Sequence, residues 1–196
     1  KGIIPNLGLT GESNGYADLL NPKLKGEIAA GDPAKSSSAW AELTNMLLVK
    51  GNAPYDEAAW AWVESFIANL DGVMLDSSSA IYKGVSAGEY AVGVSYEDPC
   101  VSLLVDGATN VKLVYPEEGA VWLPAGSAII KDAPHLEYAK QFIDFIQSEE
   151  GQKVIATTTA RPVDTSITNT AEEIIPFSEI KVVVEDEALC TEKKAE

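Results

Sequence analysis

Three apolar stripes with helical spacing divide the chain. The first consists of Trp40, Leu43 and Leu47. The second consists of Ala59, Val63, Phe66, Ile67 and Leu70. The third consists of Leu136, Ala139, Phe142, Ile143 and Ile146. Apolar residues three and four positions apart lie on one face of a helix, so each stripe predicts an amphipathic helix. A shorter helix is predicted over residues 149–156.

Short apolar runs between these stripes predict strands. They cover residues 27–31, 90–94, 111–115 and 121–123, and a Pro- and Gly-containing turn at 116–119 separates the last two. In the second strand, Tyr90, Val92 and Val94 alternate with smaller residues. Helices and strands therefore alternate along the chain. That alternation predicts an α/β fold.

Two runs of three serines stand where helices are predicted to begin, and Gly88 is predicted to end the second of these helices. The serines are Ser36, Ser37, Ser38, Ser77, Ser78 and Ser79. Helix capping needs one serine of each run, because a single hydroxyl accepts the hydrogen bond from a first-turn N–H. The free N–H groups and the dipole of a helix N-terminus favour anions. If both helix starts face one cleft, the additional hydroxyls predict an anion site.

Polar residues follow the strand predicted over 90–94. They are Ser95, Tyr96, Glu97 and Asp98. Ligands of open α/β sheets bind at the carboxyl ends of strands, so Tyr96 and Glu97 are predicted to line the same site. A carboxylate of Glu97 or Asp98 would meet an amino group on a zwitterionic ligand. Asp98 before Pro99 suits a turn equally well.

Residues 18–40, 76–99 and 123–130, taken in this order, resemble the extracellular solute-binding proteins of ABC importers. The resemblance is to the branch that includes binders of ferric iron, phosphonate, thiamine and sugar phosphates, and it runs from about Tyr16 to about Val184. It implies a lobe of the type II periplasmic-binding-protein kind, a mixed sheet flanked by helices. It also implies that the N-terminal part of such a protein is missing here. Motif by motif, it supports Ser37, Ser38, Ser78, Ser79, Tyr96 and Glu97 as ligand residues.

The resemblance implies four regions. Residues 1–15 form a loose N-terminal segment, 16–125 a ligand-binding α/β lobe, 126–184 a hinge return with C-terminal helices, and 185–196 a charged tail expected to fray.

The implied function is that of the substrate-binding component of an ABC importer. A small polar anion, a phosphonate or phosphate ester, would bind between two lobes and pass to a membrane permease. No signal segment opens this sequence, so the expected extracytoplasmic location is inferred from the resemblance to the family alone. Ferric iron is an alternative cargo, although iron binders of the family pair two adjacent tyrosines and here Glu97 follows Tyr96. An interaction module that pairs with a second copy is an alternative of another class.

Charge and composition narrow the partners. Fourteen Lys and Arg residues oppose 30 Asp and Glu, and the net charge of −16 argues against nucleic acid or an anionic membrane. Cys100 and Cys190 lack metal-type spacing; they predict either two thiols or a disulfide. His135 is the only histidine, which argues against catalysis by a histidine base and against a metal site with several histidine ligands. Arg161, the only arginine, suits an anionic ligand or a structural ion pair.

An enzyme is not expected. Ser78 lies near Lys83, but the sequence contains no G-x-S-x-G nucleophile elbow. No cofactor and no resident metal are predicted.

Overall fold

All the helices predicted from apolar stripes are present in the computed structural model, which describes residues 14–193 and the backbone of Gly2–Pro5. The α-helices are α1 (Ser37–Val49), α2 (Glu57–Leu70), α3 (Ser78–Ala87), α4 (Glu97–Val105), α5 (Leu136–Gln147), α6 (Glu149–Ile155) and α7 (Glu187–Lys193). Short 3-10 helices cover Tyr16–Leu20, Pro22–Leu24 and Phe177–Glu179. The prediction for residues 1–15 lies mostly outside the described residues.

The central sheet is mixed, as the resemblance implied. Its strands are β1 (Gly2–Pro5), β2 (Ile28–Ala29) and β3 (Val92–Ser95), in the order β1-β3-β2. Strands β2 and β3 run parallel, with Ile28 opposite Val92, whereas β1 is antiparallel to β3. Gly31, just after β2, forms a parallel bridge with Leu75. Leu75 therefore lies beside the end of β2, on the side away from β3.

Strand β3 is buried along its whole length, where the sequence predicted alternation. Helices cover both of its faces, which explains the difference. Val92 and Val94 belong to the cluster that contains the apolar faces of α1 and α2. On the other face, a Cβ at Gly93 would lie 2.8 Å from Val85 of α3, so glycine allows α3 to pack closely.

A second, two-stranded parallel sheet pairs β4 (Ala120–Val121) with β5 (Val182–Val183). The strand predicted over 111–115 is reduced to single bridges at Val111 and Val114. The turn predicted at 116–119 is confirmed, because Gly119 N–H donates to the carbonyl of Pro116.

The chain divides into two units. Unit 1 comprises Lys1–Trp122 and Phe177–Glu196, and unit 2 comprises Leu123–Pro176. Both sheets and helices α1–α4 and α7 belong to unit 1, while α5 and α6 belong to unit 2. The domain boundaries expected from the resemblance, at residues 125 and 184, remain predictions.

The core of unit 1 is built on the stripe of α2. Ala59, Val63, Phe66 and Leu70 are buried, but Ile67, predicted in the same stripe, is 51% exposed. Trp62 takes the place expected for Ile67, because its ring stacks on Phe66 at 5.7 Å and meets Tyr16 edge-on at 6.2 Å. The stripe is therefore rotated toward the tryptophan.

Two polar side chains, one buried and one half-buried, fix the segment around β4. Asn45 is fully buried; its amide donates to Tyr16 Oη (2.5 Å) and to the carbonyl of Gly119, and its Oδ1 accepts from Val121 N–H (3.0 Å). Glu118 pairs with Lys50 at 2.9 Å and accepts from the N–H groups of Tyr16 and Ala17. These bonds tie the start of the described chain to α1 and β4.

The charged tail does not fray as expected: residues 187–193 form α7. Cys190 anchors this helix, since it is buried and its Sγ lies 2.6 Å from Tyr55 Oη. Cys100 and Cys190 are both free thiols, which removes the disulfide alternative. No helix within the described residues has the length and apolarity needed to cross a membrane.

Candidate functional site

Three helix N-termini lie along one edge of the central sheet in unit 1. Leu75, β2 and β3 run parallel, side by side, with β2 in the middle. Each is followed in the chain by a helix, namely α3, α1 and α4 respectively. Because the carboxyl ends of parallel strands share one edge, the three helix starts share it too. Both serine runs and the pair Tyr96 and Glu97 belong to these helix starts.

The first serine run divides into a cap and two further hydroxyls. Ser36 is the N-cap of α1, and its side chain accepts from Ala39 N–H at 3.3 Å. Its own N–H donates to the carbonyl of Asp32, which closes the turn that leaves β2. Ser37 is exposed and Ser38 is half-buried in the first turn of α1. Ser36 is thus the one cap of this run, as the sequence predicted, and Ser37 and Ser38 follow it in the first turn of α1.

The second run repeats this arrangement. Ser77 is the N-cap of α3 and accepts from Ala80 N–H at 3.4 Å, while its Oγ lies 3.3 Å from that of Ser79. Ser78 and Ser79 are half-buried. The helix ends at Gly88, as predicted, in the left-handed conformation that favours glycine (φ 79°).

An ion pair connects the two serine runs. Lys35, the residue before Ser36, places its Nζ 2.8 Å from Oδ1 of Asp76, the residue before Ser77. The same Nζ lies 3.4 Å from Asp32. Hydrogen bonds first to Asp76 and then to Asp32 raise the pKa of Lys35, so the lysine stays charged at neutral pH. The structure therefore brings the two runs together at one edge of the sheet.

The third helix start differs from its prediction. Residues 96–98 were expected as polar residues at a strand end, but Tyr96 is the N-cap of α4, and Glu97 and Asp98 form its first turn. Pro99 fits there because the first turn of a helix does not need its N–H. Tyr115 Oη donates a hydrogen bond to Glu97 Oε1. Glu97 is half-buried and Asp98 is exposed.

Sequence reasoning missed three members of this edge, Lys35, Asp76 and Tyr115. Lys35 and Asp76 had a signal, since each immediately precedes a serine run with which it shares a turn. Tyr115 had none, because its contact with Glu97 joins residues 18 positions apart in the chain.

The charges of the three helix starts are unequal. The first turns of α1 and α3 contain serines and no acidic residue, whereas that of α4 contains two carboxylates. Positive helix-dipole charge is thus balanced by carboxylates within the first turn of α4, whereas at α1 and α3 the neighbouring carboxylates, Asp32 and Asp76, precede the helix and pair with Lys35. The edge has one end suited to an anion and one end suited to a hydrogen-bond donor.

The other candidate residues lie elsewhere. Cys100 is buried below the start of α4, and burial raises the pKa of its thiol to about 12, so it is unreactive at neutral pH. His135 is exposed at the N-terminus of α5 in unit 2. Arg161, also in unit 2, donates to the carbonyl of Ile175 at 2.8 Å. Among the described residues, no three His, Cys, Asp or Glu side chains are grouped to hold a metal ion.

Known proteins share this fold. The periplasmic binding protein AfuA from Actinobacillus pleuropneumoniae, whose structure contains exogenous fructose-6-phosphate, superposes with a TM-score of 0.75 at 23% identity. The match covers 93% of this chain and 58% of AfuA. The sulfate-binding protein SubI from Mycobacterium tuberculosis gives a TM-score of 0.75 at 21% identity, over 93% of this chain and 62% of SubI. The architecture is that of a type II periplasmic binding protein.

Sequence comparison agrees. Iron uptake protein A1 from Synechocystis sp. is 28% identical over an alignment of 158 positions that covers 74% of this chain. The chain spans 42% of the length of that relative. The family model described as bacterial extracellular solute-binding protein matches residues 9–182. The chain belongs to the bacterial extracellular solute-binding protein family.

Proposed function

We propose that this chain is part of the solute-binding component of an ABC importer and that the sheet edge described above binds a small anionic solute. The phosphoryl or phosphonyl group would lie at the N-termini of α1 and α3. One observation carries the proposal: two serine-rich helix starts without acidic residues lie side by side at the carboxyl edge of parallel strands. Their N–H groups and hydroxyls are donors that suit a phosphonate or phosphate ester.

The strong negative charge of the chain affects how it can bind an anion. With a net charge of −16, long-range attraction does not assist an anion, so binding must depend on short-range donors. Ser37, Ser38, Ser78 and Ser79 are assigned as these donors, because Ser36 and Ser77 are the residues that cap α1 and α3. Glu97 and Tyr96 at α4 are assigned to the rest of the solute, where a carboxylate accepts from a hydroxyl or ammonium group. The solute then carries both an anion and a donor.

The first experiment is native mass spectrometry of the protein purified without refolding. Calorimetric titration with methylphosphonate, inorganic phosphate, sulfate and fructose 6-phosphate follows. A retained or tightly bound phosphonate or phosphate ester supports the proposal. Failure to bind any of the four probes contradicts it.

Two variants locate the site. Ser37→Ala and Ser78→Ala remove hydroxyls that do not cap a helix, and together they should weaken binding at least about tenfold, as expected for two lost hydrogen bonds to a charged group. Ser148→Ala is the matched control, because Ser148 caps α6 in unit 2, where its side chain accepts from Gly151 N–H at 3.1 Å. Equal losses in both would mean that the serines act only through helix stability.

Ferric iron is the second candidate cargo. Tyr115 contacts Glu97 next to Tyr96, so this end of the edge gathers hard oxygen donors of the kind that ferric iron prefers. The relative from Synechocystis is named for iron uptake. Titration with ferric citrate should then produce a tyrosinate-to-iron absorption band that Tyr96→Phe removes. Without that band, iron is excluded as the cargo of these tyrosines.

The proposed transport role includes a protein partner and a cellular location. The solute would be delivered to a membrane permease, and the protein would act outside the cytoplasm. An interaction role with a second copy is the alternative of another class, favoured by the exposed apolar face of α5. Light scattering after gel filtration separates the two, because self-association through that face should disappear in Phe142→Glu.

A further inference from the structure

A lysine stands between the two serine-rich helix starts. Lys35 precedes the N-cap of α1, and its ammonium group reaches Asp76, which precedes the N-cap of α3, at 2.8 Å. Its second partner, Asp32, lies in its own turn at 3.4 Å. Ser36 and Ser77, the N-caps of α1 and α3, directly follow the two residues of this ion pair.

The two carboxylate partners are not equivalent. Asp32 is mostly covered, with 19% of its side chain exposed, and its Oδ1 is also bonded to Ala34 N–H at 2.9 Å. Asp76 is 79% exposed and approaches Lys35 more closely. Asp32 thus binds the lysine as part of a hydrogen-bonded turn, whereas Asp76 is largely exposed to water.

We infer that Lys35 is the cation that binds the anionic group of the solute, and that Asp76 occupies it until the solute displaces that carboxylate. This inference rests on the proposed function and adds its charged residue and its competitor. An oxyanion offers Lys35 the same acceptor geometry as a carboxylate, together with the donors of both helix starts. Within the described part of the chain, the hydrogen bond that the Asp76 carboxylate accepts comes from Lys35.

The surroundings explain why a cation is needed. Asp32, Asp76, Glu97 and Asp98 are all within one residue of the strand ends or in the first turn that follows. Without Lys35, an anion would meet their summed negative potential with only neutral donors. Lys35 offsets one of these charges at the point where the serine-rich helix starts meet.

A simpler role for the pair is a surface staple between α1 and α3. The two roles predict opposite effects of Asp76. If Asp76 competes with the solute, Asp76→Asn strengthens anion binding; if the pair is only a staple, Asp76→Asn and Lys35→Met weaken it alike. Exposed ion pairs contribute little to stability, so stability alone does not distinguish the roles.

The test is calorimetric titration of the intact chain with fructose 6-phosphate and with inorganic phosphate. Lys35→Met should weaken binding at least about tenfold, the loss expected for one charge-assisted hydrogen bond. Lys35→Arg should restore most of the affinity, because the positive charge returns. Asp76→Asn should tighten binding roughly two- to fivefold, since a screened unit charge is removed from the competing position.

A double variant separates displacement from general repulsion. In the Lys35→Met background, Asp76→Asn should gain less than about half of what it gains alone, because no lysine remains to be released. Lys25→Met is the matched control: Lys25 pairs with Asp71 at 3.2 Å at the opposite end of β2, with similar exposure. It removes the same charge from the protein and should leave affinity within about twofold.

The outcomes are distinct. If Ser37→Ala with Ser78→Ala abolishes binding while Lys35→Met does not, the role of Lys35 is wrong and the proposed site stands. If Asp76→Asn weakens binding, the pair is a staple. If the unmodified chain binds neither probe, the anion site and the role of Lys35 both fail.

Discussion

Helices α2 and α5 have the same kind of apolar stripe and opposite environments. In α2, four stripe residues are buried against α1, β2 and the 3-10 helix at Tyr16–Leu20. In α5, within the described part of the chain, no side chain is buried, and Phe142 is 62% exposed. The neighbour of α5 is the short helix α6. Periodicity thus determines which face of a helix is apolar, whereas burial depends on whether another element covers that face.

The largest expected effect comes from one substitution made in both helices. Phe66→Ala in α2 removes a ring that is 6% exposed and should lower the free energy of unfolding by about 3–5 kcal/mol. Phe142→Ala in α5 should lower it by less than about 1 kcal/mol, because little apolar area leaves water there. Urea unfolding followed by circular dichroism measures both. Similar losses would show that the α5 face is covered in solution.

The next effect compares ion pairs. Lys50 and Glu118 in unit 1 have side chains 14% and 15% exposed, whereas Lys140 and Glu137 of α5 are 51% and 76% exposed. Lys50→Met leaves a covered carboxylate without its cation and should lower the free energy of unfolding by about 3 kcal/mol. Lys140→Met should lower it by less than about 0.5 kcal/mol. Equal small losses would mean that water reaches Glu118 freely.

Local sequence signals account for the parts of unit 1 that were predicted correctly. The caps at Ser36 and Ser77 and the end of α3 at Gly88 each depend on a few neighbouring residues. The predicted resemblance to solute-binding proteins is confirmed by the family model and by the fold. The resemblance could be found because it depends on the order of local motifs along the chain.

Contacts between distant residues account for what was missed. Tyr115 meets Glu97 across 18 positions, and Lys50 meets Glu118 across 68, so no local pattern indicates either pair. Helix α4 was missed because residues 95–98 were interpreted as a strand end or as a turn before Pro99, although a helix tolerates proline in its first turn. Whether the serine runs, Tyr96 and Glu97 bind a ligand remains a prediction.

Acid should weaken unit 1 through Glu118. Burial alone would raise the pKa of this carboxyl, but hydrogen bonds from Lys50 and from the N–H groups of Tyr16 and Ala17 outweigh burial and lower the pKa below 4.5. A carboxyl whose pKa is lower when folded stabilises the protein fully above its unfolded pKa. That stabilisation is lost as the pH falls from about 4.5 through the lower, folded pKa.

The difference in unfolding free energy between the unmodified chain and Glu118→Gln, measured from pH 7 to pH 3, isolates this contribution. It should be constant near neutral pH and shrink below about pH 4.5. A difference that stays constant down to pH 3 would show that Glu118 has an ordinary pKa in both states.

The smallest expected effect compares two helix caps. Ser77 caps α3, whose residues Ile81 and Val85 are buried against the central sheet, and Ser148 caps α6 beside the exposed face of α5. Either alanine substitution removes about 1 kcal/mol from its own helix. Ser77→Ala should lower global stability by that amount, because α3 cannot open without exposing the core of unit 1. Ser148→Ala should instead speed hydrogen exchange of the α6 amides and shift the global transition less, since few buried apolar contacts couple α6 to a core. Equal shifts of the global transition would show that α6 is as firmly coupled to a core as α3. The contrast between covered helices in unit 1 and exposed helices in unit 2 would then hold for α5 and not for α6.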